Sequence, residues 1–134
     1  MTNAERAIYL DSSAIVKLAV AEPESAALRR YLRRRRPLVS SGLARTEVAR
    51  SVLPLGPLAL ARGLEALRRL ELVRVSDRIL AEAGTIPPPE VRSLDAIHLA
   101  TMRQLGSSLF QVVIYDQRLS AAAAALGFRV LAPT

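Results

Sequence analysis

Two stretches decide the class of fold: Ala7-Ile8-Tyr9-Leu10, which runs into Asp11-Ser12-Ser13, and Val112-Val113-Ile114-Tyr115, which runs into Asp116. Each is a short apolar run that ends directly on a carboxylate. A run without polar alternation describes a strand buried on both faces, not one with a wet side. Ser12 or Ser13 is placed to cap a helix extending to about Val20, with Ile15, Leu18 and Ala19 on its inner face.

Outward from these anchors the chain alternates. Pro23 opens a helix at its first turn, with Leu28, Tyr31 and Leu32 inward and Arg33–Arg36 at its end before Pro37. Leu38–Ser40 reads as a second strand, Gly42–Leu53 as a helix and Leu58–Leu70 as another, with Leu60, Leu64, Leu67 and Leu70 on one side. Leu72–Val75 reads as a third strand and Asp77–Ala83 as a short helix. Ser93–Leu105 is strongly periodic, capped by Ser93 and stopped by Gly106. Phe110–Tyr115 is the fourth strand, Leu119–Leu126 an Ala-rich helix and Phe128–Leu131 a last strand. This order predicts an α/β fold, a parallel sheet of about five strands covered by helices on both faces. Leu53–Pro57 is the best hinge candidate, with an ordinary helix–helix turn as the plainer reading.

The chain of 134 residues is one domain's worth, 1–134, and needs no disulfide or metal staple to fold. There is no Cys and one His, which excludes a thiol nucleophile, an iron–sulfur cluster and a multi-histidine zinc site. Any metal must be held mainly by oxygen, which points to Mg²⁺ or Mn²⁺. No run approaches the roughly 18 apolar residues of a membrane span. Asp11 interrupts the first apolar stretch soon after Arg6, unlike a signal peptide, so a cytoplasmic location is the default. Net charge is +7, and the basic residues are 18 Arg and Lys17. That balance favours an anionic partner, nucleic acid above all, with Arg-rich codon usage as the bland alternative.

Only four Asp occur: Asp11, Asp77, Asp95 and Asp116. Asp11 and Asp116 follow strands at their carboxyl ends, where open α/β sheets bind ligands. Either alone reads as a turn residue or helix cap; two at equivalent ends strain that reading. Glu47 lies among Leu43, Ala44, Val48 and Ala49, with an ion pair to Arg50 as its ordinary explanation. Asp95 lies in a first helical turn, where the helix dipole favours a carboxylate, yet Leu94, Ala96, Ile97, Leu99 and Ala100 surround it. Four converging carboxylates repel one another, and a divalent cation removes that conflict. It also activates a bound water for phosphodiester hydrolysis without a protein nucleophile.

These residues fall in segments that resemble a known family: Tyr9-Leu10-Asp11-Ser12-Ser13 with Val16-Lys17-Leu18, Ala44-Arg45-Thr46-Glu47-Val48, Ser93-Leu94-Asp95-Ala96-Ile97-His98-Leu99-Ala100-Thr101, and Tyr115-Asp116-Gln117-Arg118-Leu119 with Ala121, Ala122 and Gly127. In that order they resemble PIN domains, most closely the VapC-type toxin ribonucleases of toxin–antitoxin modules. The resemblance implies a Rossmann-like sheet and Mg²⁺- or Mn²⁺-dependent endoribonuclease activity. It carries the acidic site onto Asp11, Glu47, Asp95 and Asp116, and a site-positioning hydroxyl onto Ser13. It also implies a small antitoxin whose tail blocks the site, and a toxin homodimer. His98 belongs to the same segment and reads as a satisfied helix histidine, not a ligand.

Arg29, Arg30, Arg33, Arg34, Arg35 and Arg36 crowd one helix end, beyond what capping requires, and are candidates for RNA backbone contact. Arg118 stands near Asp116, to pair with an acid or meet phosphate. Leu53–Leu64 is Leu-rich outside any strand, as a second core layer or as an exposed groove for a partner. Two other classes compete with the toxin ribonuclease. One is a non-catalytic nucleic-acid-binding or assembly module, which four repelling acids disfavour. The other is a receiver-type phosphoacceptor, which needs a late Lys this chain lacks. A housekeeping RNA-processing nuclease shares the toxin's chemistry.

Overall fold

The structure, a computed structural model, describes residues 6–134. Strands β1 (Ala7–Leu10), β2 (Leu38–Ser41), β3 (Glu71–Val73), β4 (Leu109–Val113) and β5 (Val130–Leu131) form one sheet. Every pairing is parallel, in the spatial order β3-β2-β1-β4-β5. Between the strands run α1 (Ser12–Ala19), α2 (Ser25–Leu32), α3 (Ala44–Val52), α4 (Pro57–Arg68), α5 (Asp77–Ala83), α6 (Ser93–Leu105) and α7 (Gln117–Ala125).

The apolar runs divide their side chains between two cores, as a period of two requires. Ile8, Leu10 and Val113 pack with α1, α2, α3 and α4 through Ile15, Leu28, Val48 and Leu67. Tyr9, Val112 and Ile114 pack with α5, α6 and α7 through Ile79, Leu99 and Leu119. Helices therefore cover both faces, as the alternation predicts. The chain lays down β1, β2 and β3 outward in one direction, then returns to place β4 on the other side of β1. The strand order reverses between β1 and β4, and their carboxyl ends open a crevice there.

Several local expectations are corrected. Asp11, not Ser12 or Ser13, caps α1, accepting from the Ala14 N–H at 3.0 Å. Ser93 is the first residue of α6 and makes no capping bond; Arg92 holds the cap position. Pro23 sits in the turn ahead of α2. β4 ends at Val113 and β5 holds only two residues, Val130 and Leu131. On α4 the buried face is Gly63, Ala66 and Leu67, while Leu64 is 43% exposed. A side chain at Gly63 would meet Val52 at 3.0 Å, so the close approach of α3 and α4 requires a small residue there, while Leu67 and Leu70 are buried as expected. Leu53, Leu55 and Leu58 face solvent as well, so this stretch is not a second core layer. The Leu53–Pro57 stretch is a 3₁₀ turn closed by Gly56 at φ 105°, a conformation glycine adopts without strain, and joins two helices.

Candidate active site

At the end of β1 the Asp11 backbone N–H donates to the Val113 carbonyl across the β1–β4 crevice, at 3.2 Å. Its side chain is only 4% exposed. Oδ1 caps α1, and the Ser13 hydroxyl donates to the carboxylate from 2.7 Å of Oδ1 and 2.8 Å of Oδ2. Burial pushes the Asp11 carboxyl up to about 6, Asp116 adding to it and Ser13, Ala14 and His98 opposing it. Asp116 stands at the start of α7, exposed, and caps it by accepting from the Leu119 N–H at 2.9 Å.

Asp95 enters from the first turn of α6, on the opposite layer from Glu47 of α3. Burial raises the Asp95 carboxyl above the usual carboxylate range; the charges of Asp116 and Glu47 reinforce this and His98 and Arg92 oppose it. Burial acts on Glu47 in the same sense, but hydrogen bonds from His98 and Ser12 outweigh it and hold Glu47 below its ordinary value. Asp116 is felt by both Asp11 and Asp95, and Glu47 by Asp95. Asp95 and Asp116 line one cavity, Ser13 and Asp116 another, and Glu47 is tied to the start of α1 through Ser12.

Glu47 does not pair with Arg50. Its Oε1 accepts from the Ser12 hydroxyl at 2.6 Å and lies 2.7 Å from His98 Nε2. His98 is 2% exposed, and its Nδ1 lies 2.6 Å from the Tyr9 hydroxyl. An ionised Glu47 can only accept, so Nε2 carries a proton toward it. Burial keeps that Tyr9 hydroxyl protonated. The chain Tyr9–His98–Glu47–Ser12 ties β1, α6, α3 and α1 together across both layers. His98 is a satisfied helix histidine, as read from the sequence, but its partner is a site acid. Tyr9 and Ser12 were missed as parts of this chain. Alternation along β1 turns Tyr9 toward α6, and His98 lies one helical turn after Asp95; those were the available signals.

Two cavities flank the acids. One of about 620 Å³ is lined by Asp95, Asp116, Arg92, Arg118, Leu119 and Ala122, among others. A second, of about 390 Å³, is lined by Ser13, Lys17, Tyr115 and Asp116. Lys17 is engaged there, with Nζ 2.7 Å from Glu24, 3.6 Å from Glu22 and 4.7 Å from the centre of the Tyr115 ring. Arg118 therefore shares the acidic region. Arg29, Arg30, Arg33 and Arg34 do not: α2 ends where β2 begins, at the amino edge of the sheet. Arg35 and Arg36 turn back onto carbonyls at the end of α2, a capping role.

The donor set suits a hard divalent ion: oxygen only, with carboxyls that burial and mutual repulsion hold up. Among the described residues no three His, Asp or Glu side chains stand close enough together to hold a metal ion by themselves. An ion held here would therefore keep part of its water shell, as Mg²⁺ commonly does.

Residues 8–125 match the PIN domain family. The chain belongs to the PIN domain family. This PIN domain is 58% identical over 128 residues to Ribonuclease VapC46 of Mycobacterium tuberculosis (strain ATCC 25618 / H37Rv), covering 96% of this chain and 98% of the relative. It is 42% identical over 130 residues to Ribonuclease VapC35 of the same species and strain, with 94% and 96% covered. Among solved structures it superposes on Mycobacterium tuberculosis VapC20, a sarcin–ricin loop cleaving toxin, with a TM-score of 0.72 at 19% identity, over 94% of this chain and 99% of that one. That last likeness bears on the fold. Among the described residues of this PIN domain, no helix is long and apolar enough to cross a membrane.

Proposed function

We propose that this PIN domain is a metal-dependent endoribonuclease, the toxin of a toxin–antitoxin pair, acting within the cytoplasm. The observation that supports the chemistry is that Asp11 and Asp116 cap the helices at the ends of β1 and β4, Asp95 and Asp116 line one cavity, and Glu47 is tied through Ser12 to the start of α1. The relatives named ribonuclease support the choice of RNA.

Asp11, Asp95 and Glu47 would hold Mg²⁺ or Mn²⁺, with Asp116 at the exposed rim. When bound, the ion supplies an activated water and neutralises charge on the phosphate. Ser13 holds both oxygens of Asp11 in place, and the Tyr9–His98 pair orients Glu47 so that its second oxygen stays available. Arg118 meets the phosphate backbone beside the acids. Arg29, Arg30, Arg33 and Arg34, on the far edge, serve long-range attraction of RNA instead of contact at the scissile bond. The exposed Leu53, Leu55, Leu58 and Leu64 offer apolar surface for the antitoxin or a second copy in a homodimer.

The test is cleavage of RNA by partner-free protein with Mg²⁺, Mn²⁺ or EDTA. Activity is expected with either ion, lost in EDTA and lost in Asp95→Ala. Full cleavage in EDTA ends the metal mechanism. Binding without cleavage under any ion leaves a non-catalytic RNA-binding module.

A further inference from the structure

Of the four acids, Asp95 and Asp116 line the 620 Å³ cavity. Its long side is a single face of α7, Arg118, Ala121, Ala122 and Ala125, spaced three and four residues apart. Opposite stands the segment from Pro88 to Arg92 that leads into α6. Val91, Leu119 and Ala122 contribute to the apolar part of the wall, with Pro88. Two guanidinium groups, Arg92 and Arg118, complete it, both exposed, and among the described residues neither makes a salt bridge. The chain's one Lys, by contrast, is fully engaged by Glu22 and Glu24.

We infer that this cleft is a nucleotide subsite: it receives an unstacked base of the RNA against Val91, Leu119 and Ala122, while Arg92 and Arg118 meet the phosphates next to the scissile bond. The inference rests on the ribonuclease reading and adds to it where the neighbouring nucleotide sits. Three features support this occupant. The cavity is continuous with Asp95 and Asp116, so a strand whose phosphate lies at the acids extends into it. A metal site alone has no use for two exposed cations outside any salt bridge beside its carboxylates, whereas a phosphodiester chain does. The volume falls in the range of about 300–1,000 Å³ typical of small-ligand pockets.

The lining holds no aromatic ring, so the base is held by apolar contact and by the guanidinium planes instead of an aromatic platform. Glu90, also in the wall, is not among the charges that move Asp95. As an acceptor-only group it favours a base edge rich in N–H, guanine foremost because its N1–H and N2–H lie side by side. A base that must leave its stack to enter restricts the substrate to single-stranded segments or loops.

The test uses the ¹⁵N-labelled full chain titrated with the four ribonucleoside 5′-monophosphates and, separately, with inorganic phosphate. Ala121 and Ala125 are exposed, so Ala121→Trp and Ala125→Trp fill the cleft without entering the core; melting temperatures confirm folding. The expected result is saturable shifts at Val91, Leu119 and Ala122, guanosine monophosphate binding tightest. Binding weakens about 10-fold or more in each Trp variant and in Arg118→Ala. Phosphate alone binds more weakly and leaves Val91 unmoved. Shifts confined to Arg29–Arg36, or a peptide partner but no nucleotide entering the cleft, overturn the subsite. So does cleavage by the Trp variants at wild-type positions and KM, which leaves the ribonuclease reading intact. Nucleotide binding that the variants weaken, with no RNA cleavage under any ion, sustains the subsite and overturns the ribonuclease instead.

Discussion

Asp11 and Asp116 begin as the same device. Each follows an apolar strand of the same sheet and caps the next helix by accepting from the N–H three residues on, at 3.0 and 2.9 Å. They end in opposite environments. Asp11 comes directly after the last residue of β1 and is buried, whereas Ile114 and Tyr115 stand between the end of β4 and Asp116. At about 3.3 Å per residue, those two steps carry Asp116 out to the exposed rim. Local sequence thus sets the cap, and depth at the sheet edge sets the electrostatics. The buried carboxylate holds its proton longer; the exposed one tunes it from outside.

The comparison breaks hardest at Asp11. Asp11→Asn keeps the cap, since Asn caps as well as Asp, but removes the charge. RNA cleavage is expected to fall about 10³-fold. At pH 7 in EDTA the same variant should be more stable than the parent by on the order of 3 kcal/mol, at about 1.4 kcal/mol per pKa unit. Denaturant titration reads this, and a less stable variant refutes the burial argument.

Next in size is the pH dependence of the metal-free fold. The folded Asp11 carboxyl titrates at about 6 against an ordinary 3.8, so between those values the native state binds more protons than the unfolded chain. Stability then falls as pH rises from about 4 to about 6, by roughly the same 3 kcal/mol. Asp95, also raised, has the same sign. Glu47, held low, has the opposite one: its contribution is present above its ordinary value and is lost as pH falls through the folded one. Unfolding free energies across this range in EDTA should slope downward in the parent and less so in Asp11→Asn.

Smaller effects come from the groups around the pair. His98→Ala should lower kcat about 10- to 100-fold and raise the Mg²⁺ concentration for half-activation, leaving KM for RNA unchanged. His98→Gln, which retains a donor, should recover part of it. Because the chain has a single His, its ¹⁵N ring signals report the tautomer directly, and a proton on Nδ1 alone contradicts the chain drawn from Tyr9 to Glu47. Asp116→Asn is the mildest, with cleavage down about 10-fold and stability within about 0.5 kcal/mol.

Much of the site was legible because its residues break a pattern. Asp11 and Asp116 end apolar runs, and Glu47 and Asp95 are carboxylates among apolar neighbours. What stayed hidden depended on partners far away in sequence. Arg50 at three residues' distance was the visible partner for Glu47; the actual one, His98, is 51 residues on and reaches it from the other layer. The leucines of α4 formed a convincing column, yet the approach of α3 at Gly63 turned Leu64 outward. The end of α2 sets the arginine run at the amino edge of the sheet, away from the acids, which its sequence position does not reveal.

The sequence by itself determined the alternation of strands and helices, the apolar character of both central strands and the four carboxylates at the starts or on the faces of helices, because these follow from periodicity and capping within a few residues. Only the tertiary structure decided that β4 returns to lie beside β1, that Asp11 is buried while Asp116 is not, and that His98 of α6 reaches Glu47 of α3 from the other layer. Those outcomes depend on which surfaces pack against which, and packing is settled between segments, not within them.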